Sequence, residues 1–370
     1  MADIIDAADP LTKKMEIKIG PYEFKILSYN LLNLFDTKHD EGRQDYTWLP
    51  LSHPNKREWC RTIKNQRYRD TCLRTDWNEE KLNLKLNQIK RVVDMQGVLP
   101  DLLAVQEIEN DFVAQKLAET LGYDKFIITH ADDKRGIEVA LLYKENKLQY
   151  LEHEEFNVSK ALGFQTRHIL RAHFKLKSDK TDRIIGVYVN HWPSQASHPT
   201  YRAAVAKLLR GEINNQTHKI GLDKYSVILT GDFNTRADEI PNAFHTYLTS
   251  PNWDHYVSDA QSLSEQNKNP MTYKMPPGTY WYKRGGSYHK YDRILISQNL
   301  NSARDIIIKP NGYRILATRM NSKKVKYSER SLNWYGATQF VPVGYNFNTY
   351  DPKKAGFSDH YPVAVKFKFK

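Results

Sequence analysis

The stretch SVILTGDFN, residues 226–234, begins as an apolar strand, breaks at a glycine and ends on Asp232 and Asn234. A run of aliphatic residues without alternation is the pattern of a strand buried on both faces. A polar pair placed directly behind such a strand is held in position by it. The same arrangement recurs on both sides of this stretch. FKILSY, 24–29, ends at Asn30, LLAVQ, 102–106, delivers Glu107, and IIGVYVN, 184–190, delivers His191. Downstream, Asp292 opens DRILIS, 292–297, and Asp359 and His360 precede a closing strand over 362–370. There Val363, Val365, Phe367 and Phe369 alternate with Ala and Lys, the period of a sheet with one buried face.

Between these strands the period changes. Leu82, Leu86, Ile89 and Val93 recur at helical spacing and predict a helix over 79–95, with Glu79 and Glu80 at its positive end. Asn110 is placed to cap a second helix whose face carries Val113, Leu117 and Leu121. TYRAAVAKLLRGEI predicts a third near 200–213, and EVALLY a further strand at 138–143. Strands separated mostly by helices and long loops predict an α/β layered fold. With 40% hydrophobic and 26% charged residues the chain has globular composition, and no apolar run is long enough to span a membrane. No linker divides it. The expected organisation is an N-terminal extension over 1–23 and a single domain over 24–370, with a polar, basic insertion at about 36–78.

Strand ends in a layered sheet converge on one edge, where such folds place their sites. The residues gathered there have compatible chemistry. Asn, Asp and Glu oxygens are hard ligands suited to Mg²⁺, with Mn²⁺ or Ca²⁺ as alternatives. There is no HExxH helix and no Cys/His grouping for zinc, and the absence of a GxSxG elbow argues against a serine hydrolase. His360 can exchange a proton near neutral pH, and a carboxylate such as Asp292 can orient its ring. Carboxylates, amides and histidines around a metal suit phosphate ester hydrolysis.

The motifs YNLLNLF, QEIEN, NHWPS, GDFN and SDHYPV, in that order, resemble the endonuclease/exonuclease/phosphatase superfamily, the deoxyribonuclease-I-like group, over about 24–369. RGIEVALLY and the insertion after NLFD resemble an uncharacterised bacterial branch of it. The resemblance implies two packed mixed β-sheets flanked by helices. It implies that Asn30, Glu107 and Asp359 hold the metal and that His191 contacts the scissile phosphate. Asp232 and Asn234 then orient the attacking water and stabilise the transition state, His360 is the catalytic histidine, and Asp292 supports it. The general base is either Asp232 or His360. Arg167, in QTRHILRAHF, resembles an arginine that reaches a substrate phosphate, with Arg171 as a nearby competitor.

Three features lean towards nucleic acid, DNA above RNA, as the substrate. Lys plus Arg exceeds Asp plus Glu by 55 − 43 = +12, and phosphate neutralisation drives non-specific nucleic-acid binding. Over 56–74, Lys56, Arg57, Arg61, Lys64, Arg67, Arg69 and Arg74 alternate with Trp59 and Tyr68, and Trp77 follows. TYWYKRGGSYHKY, 279–291, is a second aromatic-basic segment, directly before Asp292. Basic residues interleaved with aromatics can hold a backbone and stack unpaired bases. The run Lys323, Lys324, Lys326 reads as an ordinary loop. The expected activity is therefore an endonuclease with little sequence preference. Phosphoinositide or sphingomyelin hydrolysis is the alternative, and a non-catalytic nucleic-acid-binding protein a second one. No obligate protein partner is expected.

Cys60 and Cys72 are either two free thiols or one surface disulfide of an exported protein. The first residues, MADIIDAADPLTKK, lack the basic start and apolar core of a signal peptide. The expectation is a cytoplasmic chain, unless a leader was removed.

Overall fold

The structure, a computed structural model, describes residues 23–177, 182–266, 275–302, 306–308, 312–326 and 338–369. Of the expected N-terminal extension, residues 1–22 lie outside the described residues.

Two mixed sheets pack face to face. The first contains β1 (Glu23–Leu34), β2 (Leu102–Ile108), β3 (Lys125–Ile128), β4 (Glu138–Tyr143), β13 (Ile306–Ile308), β14 (Arg314–Ile315) and β17 (Val363–Phe369). Its order is β13-β17-β1-β2-β4-β3, with β14 also on β17. The second contains β5 (Leu148–Phe156), β6 (Ile169–Leu176), β7 (Ile184–His191), β8 (Tyr225–Asp232), β9 (Val257–Asp259) and β12 (Asp292–Ser297), in the order β5-β6-β7-β8-β12-β9. β1 and β2 are parallel, as are β7 and β8. Each parallel pair is joined by a crossover that carries a helix, because a tight turn cannot reverse the chain twice. The crossovers carry α3 (Glu79–Asp94) and α6 (Pro199–Ile220), and α4 (Asp111–Leu121) follows β2.

The alternation of strand side chains separates three apolar layers. Phe24 and Ile26 of β1 point between the sheets with Leu102, Leu141, Leu170, Val187, Ile228 and Ile294. Leu27 and Tyr29 point outward onto α3, against Leu82, Leu86, Ile89 and Val93. On the opposite side Tyr188 and Leu229 meet Val205, Leu209 and Ile213 of α6. Strands covered on both faces explain the unbroken apolar runs of the sequence. The layered sandwich expected from the motifs is the observed fold.

β1 does not stop at Asn30 as the sequence pattern suggested. It continues to Leu34 through a bulge, with Leu32 and Asn33 at φ 54° and 59° and a shift of register against β2. β2 likewise passes through Glu107 at φ 62°. Bulges at strand ends re-aim side chains, here in both strands that deliver Asn30 and Glu107.

The insertion folds into a short 3₁₀ turn, Tyr46–Trp48, and two helices, α1 (Lys56–Thr62) and α2 (Gln66–Arg74). Cys60 and Cys72 join these helices in a disulfide with Cα atoms 5.6 Å apart. Both cysteines are buried, so the pair is not the surface disulfide considered above. Ser322–Lys326 is strand β15, paired with β16 (Thr338–Pro342). The lysine run expected in a loop therefore lies on a hairpin strand.

Candidate active site

The polar residues at the strand ends meet at one edge of the sandwich. Asn30, at the end of the regular part of β1, donates its Nδ2 to Glu107 Oε1 and to Asp232 Oδ2, both at 3.1 Å. Its Oδ1 accepts the Leu32 N–H at 2.9 Å. That bond fixes the amide, so Asn30 holds two carboxylates together and keeps one Oδ1 lone pair to offer an ion. Glu107 Oε2 accepts the Asn33 N–H at 3.0 Å. Asp232 Oδ1 accepts the Asn234 N–H at 2.9 Å, and Asn234 Nδ2 donates to the Trp192 carbonyl at 3.2 Å.

Gly231 lies beside Asp232 at φ 130°, where a Cβ would stand 2.0 Å from the Asn190 carbonyl oxygen. Only glycine lets the parallel strands β7 and β8 close at this point. That closeness brings His191 opposite Asp232 in the register.

Asp292 is fully buried and opens β12 directly opposite Asp232 of β8. Its Oδ2 is 2.7 Å from His360 Nδ1, which leaves the Nε2 side of the ring turned to Asp232 Oδ2, 4.0 Å away. Burial acts to lower the pKa of His360, but the charges of Asp292, Asp232 and Asp359 outweigh it and raise the pKa well above the usual range. His191 is in the opposite state. Its Nε2 is 3.8 Å from both Glu107 Oε1 and Asp232 Oδ2. Burial, together with the cations Arg167 and Arg135, pushes its pKa well down. The two histidines are thus shifted in opposite directions. Asp232 itself is shifted up, by burial first.

The donor set fits a hard divalent cation. Asp232, Asp292 and His360 each offer a ligand atom, all within 4.8 Å of one another. Asp292 Oδ1 is buried without a hydrogen-bond partner among the described residues. Glu107 and Asp359 add further carboxylates on the cavity lining. Oxygen-rich donors of this kind suit Mg²⁺ or Mn²⁺.

A cavity of about 920 Å³ opens over these residues. Arg167 lines it, donating to the Trp192 carbonyl at 2.7 Å and lying 3.5 Å from Asp133. Burial and the neighbouring Arg135 lower its pKa to about 10, so it stays a cation. Arg171 does not line the cavity. It is tied to Glu152, Glu154 and Glu212 on the far side of β6.

The segment 279–291 forms one wall. It is a hairpin of β10 (Tyr280–Tyr282) and β11 (Ser287–His289). Its rings make a chain that starts at the catalytic-histidine candidate: His360 to Tyr280 at 5.0 Å, Tyr280 to Tyr291 at 5.3 Å, Tyr291 to His289 at 5.2 Å and His289 to Tyr282 at 5.7 Å. Thr279 fixes the hairpin base, accepting the Asp292 N–H on its hydroxyl and the Tyr361 N–H on its carbonyl.

The segment 56–77 lines no part of the cavity. Lys56 is buried and donates to the carbonyls of Thr47, Leu49 and Thr75. Trp77 is buried and donates to the Phe35 carbonyl. Sequence reasoning also missed Arg135, Phe164 and Arg236 on the cavity lining. They sit in irregular loops with no period to mark them.

Residues 25–368 match the model of the Endonuclease/Exonuclease/phosphatase family. A search of curated proteins finds no match. Among solved structures, the chain is similar to the human Nocturnin catalytic domain with bound sulfate anion, at 16% identity, 95% and 97% coverage of the two chains and a TM-score of 0.53. It is similar to Danio rerio TDP2 complexed with a single strand DNA product, at 13% identity, 94% and 99% coverage and a TM-score of 0.52. A mannosyl-6-phosphatase from Bacteroides thetaiotaomicron matches at 14% identity, 94% and 99% coverage and a TM-score of 0.52. At these identities the likeness is one of fold.

Proposed function

The chain belongs to the endonuclease/exonuclease/phosphatase family, and from that premise we propose that it is a divalent-metal-dependent phosphodiesterase that cuts nucleic acid, DNA foremost, with little sequence preference. Members of this family are typically hydrolases of phosphoesters. The observation that carries the finer reading is the cavity itself: a buried carboxylate–histidine cluster, several arginines and a ladder of aromatic rings together line one space.

In this reading Asn30, Glu107 and Asp359 would hold the ion beside the Asp232, Asp292 and His360 cluster, with Mg²⁺ suited to their oxygens. When bound, it would supply positive charge to the phosphate and to the leaving oxygen. His191, kept neutral, donates an N–H to a non-bridging phosphate oxygen. Arg167 takes another, as a guanidinium fork suits phosphate. The three carboxylates around His360 favour its protonated form, which leaves Asp232, shifted up by burial, as the group to accept a proton from water. Asp292 keeps the His360 ring oriented, and Asn234 steadies Asp232 through its backbone N–H. The same cavity could serve a phosphoinositide, whereas the cationic head of sphingomyelin suits an arginine-lined wall poorly. The intact donor set speaks against a purely binding role. Among the described residues no helix is long and apolar enough to cross a membrane.

The test is plasmid nicking with Mg²⁺ or Mn²⁺, with and without chelator. Wild type should nick only with metal. His360→Ala and Asp232→Ala should each lose about 10³-fold or more in turnover, in line with removal of a positioned acid or base, while circular dichroism stays native. Turnover of a phosphoinositide or sphingomyelin without nicking overturns the substrate. Near-normal activity of both variants overturns the site.

A further inference from the structure

The bulge that carries Asn30 towards Glu107 is held from behind by a lysine. Lys85 lies on the buried face of α3 and is fully removed from solvent. Its ammonium donates to the carbonyls of Leu32 and Asn33. The rings of Tyr345 and Phe347 cover it at 4.6 Å and 4.3 Å, within cation–π range. Among the described residues it has no carboxylate within ion-pair distance.

Leu32 and Asn33 both take left-handed backbone angles, a conformation that side-chain-bearing residues resist. Each faces two ways. Their carbonyls point to Lys85, and their N–H groups point into the site, Leu32 to Asn30 Oδ1 and Asn33 to Glu107 Oε2. The ammonium is therefore one backbone residue removed from two of the proposed ion donors. The stretch bearing its ring cage leads to the third. The Phe357 N–H donates to the Val343 carbonyl and the Asn346 N–H to the Ala355 carbonyl. A Cβ on Gly344 would stand 3.6 Å from the Asp359 Cβ.

We propose that Lys85 is a positioning residue that pre-forms the divalent-cation site, holding the 32–33 bulge so that Asn30 and Glu107 stand ready before the ion arrives. The inference rests on the reading of Asn30, Glu107 and Asp359 as ion donors. Lys85 bonds the carbonyls of the two residues whose N–H groups anchor those donors. Burial pushes the Lys85 pKa well below the usual lysine range, and the nearby carboxylates of Glu107 and Asp359 act to raise it again.

The test is Mn²⁺ binding without substrate, followed by electron paramagnetic resonance of the free ion. Lys85→Met keeps the length and apolar stem but removes the donors, and should weaken Mn²⁺ binding about tenfold or more. Adding Asn33→Gly eases the left-handed backbone and should recover at least about threefold of that loss. Wild type that binds no Mn²⁺ overturns the ion-site reading itself. Wild type that binds, beside a Lys85→Met protein that binds equally well, overturns only the role of Lys85. A loss that Asn33→Gly leaves untouched overturns the route through the bulge. Should Lys85→Met not fold, amide exchange over residues 30–34 of metal-free wild type decides. Slow exchange supports a pre-formed site, and exchange that slows only on adding Mn²⁺ overturns it.

Discussion

The segments 56–77 and 279–291 are alike in composition and opposite in use. Each mixes lysine and arginine with tyrosine and tryptophan, and each reads from sequence as a surface for a polyanion. In the fold, 279–291 is a hairpin on the cavity wall, with four of its rings continuing the line from His360. The other segment turns its key residues inward. Lys56 ties three carbonyls of the insertion together. Trp59 packs on His39, Tyr46 and His53. Trp77 lies under Trp48 and Phe347, joining the insertion to the ring cage behind the site. What separates the two is attachment. The hairpin is stitched at Thr279 to the strands bearing Asp292 and His360, and the insertion is closed on itself by a disulfide and a buried ammonium. Composition marks a segment as able to bind a polyanion, but the direction it faces is set by what it is tied to.

The largest expected effect that distinguishes the two is on stability. Lys56→Met leaves three carbonyls, in two buried bonds and one half-buried one, without a charged donor, which should cost about 3 kcal/mol. Urea unfolding should show the loss, while turnover per folded molecule stays within about twofold. A large fall in turnover with unchanged unfolding would make the insertion part of the site.

An intermediate effect is expected at the hairpin. Tyr282, 40% exposed at the outer end of the ladder, offers a face for a base. Stacking of this kind contributes about 1–3 kcal/mol per base. Tyr282→Ala should therefore raise KM for a single-stranded oligonucleotide by roughly tenfold, with kcat little changed and thermal stability kept. An unaltered KM would remove the ladder from substrate binding.

The smallest effect belongs to the exposed cations of the insertion. Replacing Arg57, Arg61, Lys64 and Arg67 together with glutamine should change cleavage of a short oligonucleotide by less than about twofold. The salt dependence of binding should keep its slope, because side chains that neutralise no phosphate release no counterions. A shallower slope would return the insertion to the nucleic-acid surface.

Much of this protein is legible before folding. The apolar runs ending in Asn30, Glu107, His191 and Asp232, and the closing strand that His360 precedes, mark buried strands whose ends carry chemistry, and the helical spacing of 79–95 survives in α3. These are local signals, written in neighbouring residues, and so are the motifs that carry the family resemblance. Other features depend on contacts between distant parts of the chain. Asn30 offers its amide nitrogen to the carboxylates because the N–H of Leu32, two residues on in a bulge, fixes the orientation of its oxygen. Arg167 faces the cavity while Arg171, four residues away on the same strand region, is held by glutamates of β5 and α6. Lys85 reads in sequence as an ordinary polar position of an amphipathic helix, yet it is buried beneath the site. By itself the sequence determined the strands that carry the site and the residues at their ends, since burial on two faces imposes a continuous apolar pattern. Only the tertiary structure decided which way the basic and aromatic side chains face, because facing depends on register and on partners that no local pattern records.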